Sequence, residues 1–163
     1  VPPLPKELIS ALEEKFIGRR ERLILEPGRS ISANTGVLLT KVEYIKDNFL
    51  IVDAAMNDLL RPALYKATHG VSNLKEKKEN TRNWNIVGPV CESSDFLAKN
   101  VLMEAEEGDY IAIKNAGAYG FVMASNYNSR PRACEVLIDD NAASLIRKRE
   151  TLDDLLELER IDD

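Results

Sequence analysis

Cysteine and histidine are scarce in this sequence of 163 residues. Cys91 and Cys134 are too few for a disulfide scaffold, so free thiols in a reducing cytoplasm are the default expectation. The single histidine, His69, excludes a metal site built on two histidines of this chain. No apolar run reaches the roughly 20 residues of a membrane span, and the first residues lack the basic and apolar regions of a signal peptide. These absences predict a cytoplasmic protein with no metal site and no membrane partner.

An excess of basic residues is lacking as well. The 22 Lys and Arg residues against 27 Asp and Glu give a net charge of −5, which argues against binding to the phosphate backbone of nucleic acids. What remains is the composition of a globular protein, with 44% apolar and 30% charged residues. The length is sufficient for one ordinary domain with its own core.

Hydrophobic patterning predicts a mainly β protein with flanking helices. Helical spacing predicts a first helix over 6–18, and Thr151 with Asp154 three residues later resembles a capping box that opens a last helix. Pro62 limits the segment around it to short helical pieces, and the polar segment 72–82 is typical of a solvated loop. Closely spaced short strands favour a small β-barrel or sandwich. Strands are expected over 20–29 (a short buried strand that closes in a turn), 37–45, 49–54, 84–91, 110–115, 132–139 and 142–148, the last two joined as a hairpin.

Four short segments place charged or reactive side chains beside Gly or Pro, next to apolar strands, where scaffolds usually carry functional groups. Taken singly, each has a structural explanation: a weak turn ion pair, a surface charge, a small buried thiol with an aspartate that caps a turn, or a tight bend with a packed tyrosine. His69, alone in a polar segment, is more typical of a structural or solvated histidine than of a catalytic one. The segments are Glu26–Arg29, Arg61–Tyr65, Gly88–Asp95 and Ala116–Gly120.

In this order and at these separations, the four segments resemble the C-terminal half of the fold-type III pyridoxal-phosphate decarboxylases, specifically the diaminopimelate decarboxylase family. The resemblance runs from about residue 22 to about residue 150. The family joins a (β/α)₈ barrel to a C-terminal β-domain. The resemblance therefore implies that residues 1–35 are a remnant of the cofactor-binding barrel, its last strand and helix. Residues 36–163 would be the C-terminal β-barrel or sandwich domain with its final helix.

The resemblance also implies which residues hold the cofactor, pyridoxal 5'-phosphate. Glu26 would face the pyridine nitrogen and keep it protonated, so that the ring accepts electrons. Gly28 would let the backbone approach the phosphate, and Arg29 would reach the phosphate or a substrate carboxylate through its fork of donors. Tyr119 would lie beside both the cofactor phosphate and the substrate.

Substrate binding and proton transfer are implied for the remaining residues. Arg61 and Tyr65, one helical turn apart, would bind the substrate carboxylate. Cys91 would be the catalytic residue that protonates the carbon after CO₂ leaves, and Glu92 would bind the distal amino group of meso-diaminopimelate. Both would serve the partner's site, which implies a homodimer. Related ornithine-type decarboxylases have Asp after this cysteine, so Glu92 favours diaminopimelate as substrate and L-lysine as product.

The family's cofactor-binding lysine, its ring-stacking histidine and its glycine-rich phosphate loop lie in the N-terminal half and have no match here. Lys41, Lys66 and Lys114 sit in no corresponding motif. A complete barrel needs about 250 residues. We therefore expect a C-terminal portion that is inactive alone and needs the missing barrel half as a partner. The alternative is a non-catalytic dimerising or regulatory module derived from an ornithine or diaminopimelate decarboxylase.

Overall fold

The computed structural model describes residues 4–75 and 80–160. In this part of the chain, a six-stranded sheet and a two-stranded sheet are accompanied by short helices, which confirms the mainly β prediction. The α-helices are α1 (Pro5–Phe16), α2 (Arg61–Tyr65) and α3 (Leu152–Leu156). The strands are β1 (Val37–Lys46), β2 (Phe49–Val52), β3 (Val71–Asn73), β4 (Arg82–Val87), β5 (Phe96–Met103), β6 (Tyr110–Lys114), β7 (Glu135–Asp139) and β8 (Ala142–Arg147).

The larger sheet curls into a nearly closed barrel. Its strand order is β3-β6-β1-β2-β4-β5, and its neighbours are antiparallel except for β2 and β4, which run parallel with Phe49 opposite Asn85. The outermost strands, β3 and β5, approach one another, and the side-chain amide of Asn73 donates to the carbonyl of Glu104 at 3.1 Å. This side-chain bond links the two edges of the sheet. Of the two expected forms, barrel or sandwich, the structure shows a nearly closed barrel.

The inside of the barrel is apolar because alternate residues of each strand point inward. In β2, Leu50 and Val52 are buried while their neighbours are only partly covered. Trp84 is buried on β4 and its indole N–H donates to the carbonyl of Met103 at 3.0 Å, so its polar atom is satisfied inside the core. The hydrophobic core consists of the buried residues Val42, Leu50, Val52, Ala54, Leu59, Trp84, Ile86, Leu97, Met103, Ala105, Ile111 and Ile113.

Residues 20–29, expected to form a short buried strand that closes in a turn, form neither helix nor strand in the structure. Leu23, Ile24 and Leu25 leave 42%, 73% and 42% of their surface exposed. A strand exists through pairing with a neighbour, and in 4–75 and 80–160 no strand pairs with this segment. The apolar pattern is therefore present without the partner that would make it a strand. The proposed domain boundary between residues 35 and 36 stays a prediction.

The other predicted elements agree more closely with the structure. Helix α1 forms as predicted, and Gly18 follows it with φ +79°. Strand β5 was not predicted, and β3 falls on the expected loop 72–82, of which residues 76–79 lie outside the described part.

The hairpin and the helix cap predicted for the last part of the described chain are both present. Strands β7 and β8 form the expected hairpin, with Asp140 at φ 49° in the turn. The Thr151 hydroxyl accepts from the Asp154 N–H at 3.2 Å, and the Asp154 carboxylate accepts from the Thr151 N–H at 2.6 Å, so the capping box is confirmed. Across the described ranges, no helix combines the length and apolar character that a membrane crossing requires.

Candidate functional site

Helix α2 carries the first part of the site. Pro62 at its start fixes a helical φ, and Lys66 ends it in the left-handed region at φ 53°. Arg61 and Tyr65 lie one turn apart, and the Arg61 guanidinium carbon is 5.6 Å from the centre of the Tyr65 ring. The same carbon lies 5.9 Å from the ring of Tyr119, which comes from the loop after β6. The helix therefore aims Arg61 at a second segment of the predicted site.

Arg29 is held against the same loop by backbone hydrogen bonds. The Gly117 N–H donates to the Ala33 carbonyl at 3.1 Å, and the Ala33 N–H donates to the Arg29 carbonyl at 2.9 Å. A Cβ atom added at Gly117 would lie 2.1 Å from the Ser32 carbonyl oxygen, so only glycine permits this approach. The Arg29 guanidinium also makes a long contact of 3.5 Å with the Asn115 carbonyl.

His69 contacts the carbonyl of Lys114, the residue next to Asn115, which Arg29 contacts. Its Nδ1 is 2.8 Å from the Lys114 carbonyl, and because a carbonyl only accepts, Nδ1 carries a proton; in the neutral ring, Nε2 then presents a lone pair. The side chain is buried, with 7% of its surface exposed. Burial lowers the pKa of His69, and the positive charges of Arg29 and Arg61 lower that pKa further. Because His69 and Arg29 contact adjacent carbonyls and both arginine charges act on the imidazole, we treat the three residues as one group.

Three buried side-chain nitrogens in this group have no hydrogen-bond partner within 4–75 and 80–160: Nε of Arg29, Nε of Arg61 and Nε2 of His69. Buried polar atoms are normally paired, so three orphans in one place mark a site for a polar ligand. The two arginine atoms are donors beside full positive charges, which fits a carboxylate or a phosphate. We name Arg29, Arg61, Tyr65, His69 and Tyr119 the arginine cluster; its donor set fits the phosphate and carboxylate groups of a cofactor–substrate pair.

Tyr119 takes its place in the arginine cluster at a conformational cost. Its φ is 61°, in the left-handed region that residues with a side chain seldom adopt. The turn around it is tight, because a Cβ added at Gly120 would lie 2.1 Å from the Ala116 carbonyl oxygen. Strain of this kind concentrates at sites where the surrounding structure dictates the side-chain position.

Cys91 and Glu92 lie in a separate loop between β4 and β5, where both are exposed. Asp95 fixes that loop: its buried carboxylate accepts from the Met56 N–H at 2.6 Å and from the Val90 N–H at 2.8 Å. Burial raises the pKa of Asp95, although these two donors act in the opposite direction. The sequence suggestion that Asp95 caps a turn is thus confirmed, and the loop that presents Cys91 is held from its buried end.

Glu92 has one side-chain partner among the described hydrogen bonds, the hydroxyl of Tyr127, which donates to its carboxylate. The carboxylate raises the pKa of the Tyr127 phenol, because it stabilises the protonated hydroxyl. Sequence reasoning did not single out Tyr127, since the two residues lie in loops far apart along the chain.

Glu26 and Gly28 remain outside the arginine cluster. Both are exposed in the segment 22–28, and a Cβ added at Gly28 would have no atom within 4 Å. Among described contacts, none joins Glu26 to the arginines. The structure therefore brings together Arg29, Arg61, Tyr65 and Tyr119, adds His69, and keeps Cys91 and Glu92 in another loop. His69 was expected to be structural or solvated; its carbonyl partner lies on a distant strand, so the sequence near it gave no sign of this position.

Comparison with known proteins gives a consistent result. The family model of the pyridoxal-dependent decarboxylase C-terminal sheet domain matches residues 23–117. The diaminopimelate decarboxylase of Vibrio cholerae is 49% identical over 99% of this chain and 40% of its own length. That of Neisseria meningitidis serogroup B is 57% identical over 86% of this chain and 35% of its own length.

A solved structure agrees in fold. Diaminopimelate decarboxylase from Helicobacter pylori, complexed with L-lysine, superimposes with a TM-score of 0.81 and 46% identity, over 94% of this chain and 38% of that one. This chain spans 40% and 35% of the lengths of the two curated relatives named above. These relatives carry the names of enzymes, which does not favour the alternative of a non-catalytic module. The chain belongs to the pyridoxal-dependent decarboxylases, and residues 23–117 match their C-terminal sheet domain.

Proposed function

We propose that this chain supplies the C-terminal part of a diaminopimelate decarboxylase, which removes CO₂ from meso-2,6-diaminopimelate to give L-lysine. The observation that carries the proposal is the arginine cluster, in which the buried Nε donors of Arg29 and Arg61 have no partner among the described residues. Two guanidinium groups with free donors require an anionic partner. The relatives are named as diaminopimelate decarboxylases, and the substrate in that name carries carboxylates that such a pair of arginines could bind.

Within the arginine cluster, the residues bind and orient. Arg61 and Tyr65 hold the carboxylate of the substrate, and Arg29 holds the phosphate of the cofactor or the same carboxylate. Tyr119 closes one side of the Arg61 guanidinium with its ring, 5.9 Å away. When bound, pyridoxal phosphate supplies an electron sink for the pair of electrons that departing CO₂ leaves behind. Glu26 holds a proton at the pyridine nitrogen of the cofactor. This role requires the missing barrel half to place Glu26 next to the ring.

Cys91 and Glu92 act in the site of a second copy of the chain. The Cys91 thiol gives a proton to the substrate carbon, and the Glu92 carboxylate binds the distal ammonium group. Their exposure supports this assignment, because a group that serves another subunit must lie on the surface of its own. The functional unit is then a homodimer in the cytoplasm, completed by a barrel half that carries the cofactor-binding lysine.

A chimera tests the proposal. The part of the Vibrio cholerae enzyme that precedes the matching region is joined to this chain, and lysine formation from meso-diaminopimelate is measured with pyridoxal phosphate. We expect decarboxylation, and a loss of about 100-fold or more when Arg61 is replaced by alanine. Arg82→Ala, which alters an exposed arginine of β4, is the matched control and keeps the activity. A folded, cofactor-loaded chimera that forms no lysine would refute the assignment, and the isolated chain is expected to be inactive.

A further inference from the structure

The hydrogen bond between Tyr127 and Glu92 joins two loops that are far apart along the chain, one before β5 and one before β7. Both side chains are exposed. Burial therefore does not force the contact. Without the hydrogen bond, the exposed Glu92 carboxylate would sample several orientations, and binding a ligand would then cost conformational entropy. Contacts elsewhere in the two loops must therefore hold the phenol and the carboxylate in place.

The loop that carries Tyr127 is anchored to the barrel by a buried amide. Asn57 is 2% exposed, and its side chain donates to the Ser125 carbonyl at 3.2 Å and accepts from Arg130 Nε at 2.9 Å. The Arg130 guanidinium also donates to the Asp53 carbonyl at 2.6 Å. One buried side chain thus fixes both ends of the loop 125–130.

The middle of the loop is restrained as well. The Asn126 side chain donates to the Glu150 carboxylate at 2.7 Å and to the Arg130 carbonyl at 3.1 Å. Asn128 and Ser129 have φ values of 55° and 53°, in the left-handed region. Such a conformation persists only where surrounding contacts determine it. The position of Tyr127 is therefore set by a network and not by its own burial.

The loop that carries Glu92 is anchored to the same part of the barrel. Asp95 accepts from the N–H of Met56, the residue before Asn57. A Cβ at Gly88 would lie 2.5 Å from the Asp95 carboxylate, so the chain passes this point closely. Asp95 and Asn57 thus fasten the two loops to neighbouring residues of one segment, 53–58, which sets the spacing between Tyr127 and Glu92.

We infer that Tyr127 is a positioning residue that orients the Glu92 carboxylate toward the distal ammonium group of the substrate, and so helps to select diamino acids. The phenol donates to one carboxylate oxygen and leaves the other to accept from the ammonium group. Tyr127 touches Glu92 and not the substrate, and it acts through that carboxylate. This inference rests on the proposed function, which gives Glu92 its role.

The pair itself is tested on the chain of 163 residues by NMR. Tyrosines are labelled with ¹³C at Cζ, and the phenol of Tyr127 is titrated with pH in the parent chain and in Glu92→Gln. Because the carboxylate raises the pKa of this phenol, Tyr127 is expected to titrate at lower pH in the variant. The ¹³Cζ resonance of Tyr44, which is exposed on β1, serves as the internal reference for comparing the two proteins. Identical titration of Tyr127 in both proteins would overturn the inference.

The role in selection is tested in the chimera with Tyr127→Phe, which removes only the hydroxyl. We expect KM for meso-diaminopimelate to rise about tenfold with kcat changed by less than about threefold, because oriented binding of the distal group is lost. Tyr44→Phe leaves both constants unchanged. In a Glu92→Gln background the Tyr127 substitution has no further effect on KM.

Two results would contradict this role: an unchanged KM in Tyr127→Phe, or an equal rise in KM in the Glu92→Gln background. A chimera that forms no lysine refutes the proposed function and with it the substrate role of Glu92. The NMR titration decides independently whether the Tyr127–Glu92 pair exists, so the two failures are distinguishable.

Discussion

The guanidinium of Arg61 lies 5.9 Å from the ring of Tyr119, although one residue opens α2 and the other follows β6. A cation over an aromatic face is held in orientation as well as attracted. The Nε atom of this guanidinium is buried and unpartnered in the described chain. The ring of Tyr119 thus lies near the charge of Arg61, while the buried Nε donor stays available for a ligand.

Replacement of Arg61 by lysine is expected to behave like its replacement by alanine. Lysine keeps the charge but lacks the planar fork that binds a carboxylate through two parallel hydrogen bonds. In the chimera, KM for meso-diaminopimelate should rise about tenfold or more, by steady-state kinetics. The matched control is Arg82→Lys on β4, and full retention of KM in Arg61→Lys would contradict a bidentate role.

Replacement of His69 is expected to change the pH dependence of stability. Because the folded pKa of His69 lies below its usual value of 6.5, the unfolded chain binds the proton more tightly. The free energy of unfolding should therefore be fully retained well above pH 6.5 and fall as the pH drops through and below this value. Urea unfolding between pH 5 and 8 of parent and His69→Gln, at roughly half-unit steps, measures this. The variant should show a shallower fall, and parallel curves would show that His69 has no such role.

Replacement of Asp95 by alanine is expected to lower the free energy of unfolding by about 1–3 kcal/mol, because the N–H groups of Met56 and Val90 lose their acceptor. Urea titration monitored by the fluorescence of Trp84 measures the change. The matched control is Asp139→Ala, an exposed aspartate at the end of β7, for which we expect less than about 0.5 kcal/mol. Equal effects at the two positions would contradict the anchoring role of Asp95.

Replacement of Gly117 by alanine is expected to destabilise the chain by about 1–3 kcal/mol, since the added Cβ would overlap the Ser32 carbonyl. The backbone must move apart there, which shifts the segment that carries Arg29. Gly70→Ala is the control, because its Cβ would meet no atom closer than 3.7 Å. Thermal unfolding of the two variants compares them, and an unchanged midpoint for Gly117→Ala would refute the close approach.

Local sequence was sufficient to predict an element whose stabilising contacts lie within the element itself. The Thr151–Asp154 capping box and the β7–β8 hairpin follow from side chains within a few positions of one another. Strand β5 was missed because Lys99 and Asn100 interrupt its apolar pattern, and Asn100 adopts φ 54° at a bulge against β4. The residues 20–29 show the reverse case, in which a strand pattern lacks a partner strand in the described chain.

The candidate site divides in the same way. Arg61 and Tyr65 share one turn of α2, so their proximity could be expected from spacing alone. The position of His69 depends on the Lys114 carbonyl, and that of Glu92 on Tyr127, both brought near only by the completed barrel. Such contacts join residues 45 and 35 positions apart, a separation at which residue patterning carries no information about neighbours.

The parallel pairing of β2 with β4 has a consequence for how this protein acquires ligands. Two parallel neighbours cannot be joined by a tight turn, so the chain must travel the length of the barrel between them. That obligatory excursion carries α2 and His69. Most residues of this connection lie outside the strands of the barrel. Substitutions there can therefore change anion binding without changing how the barrel strands pair.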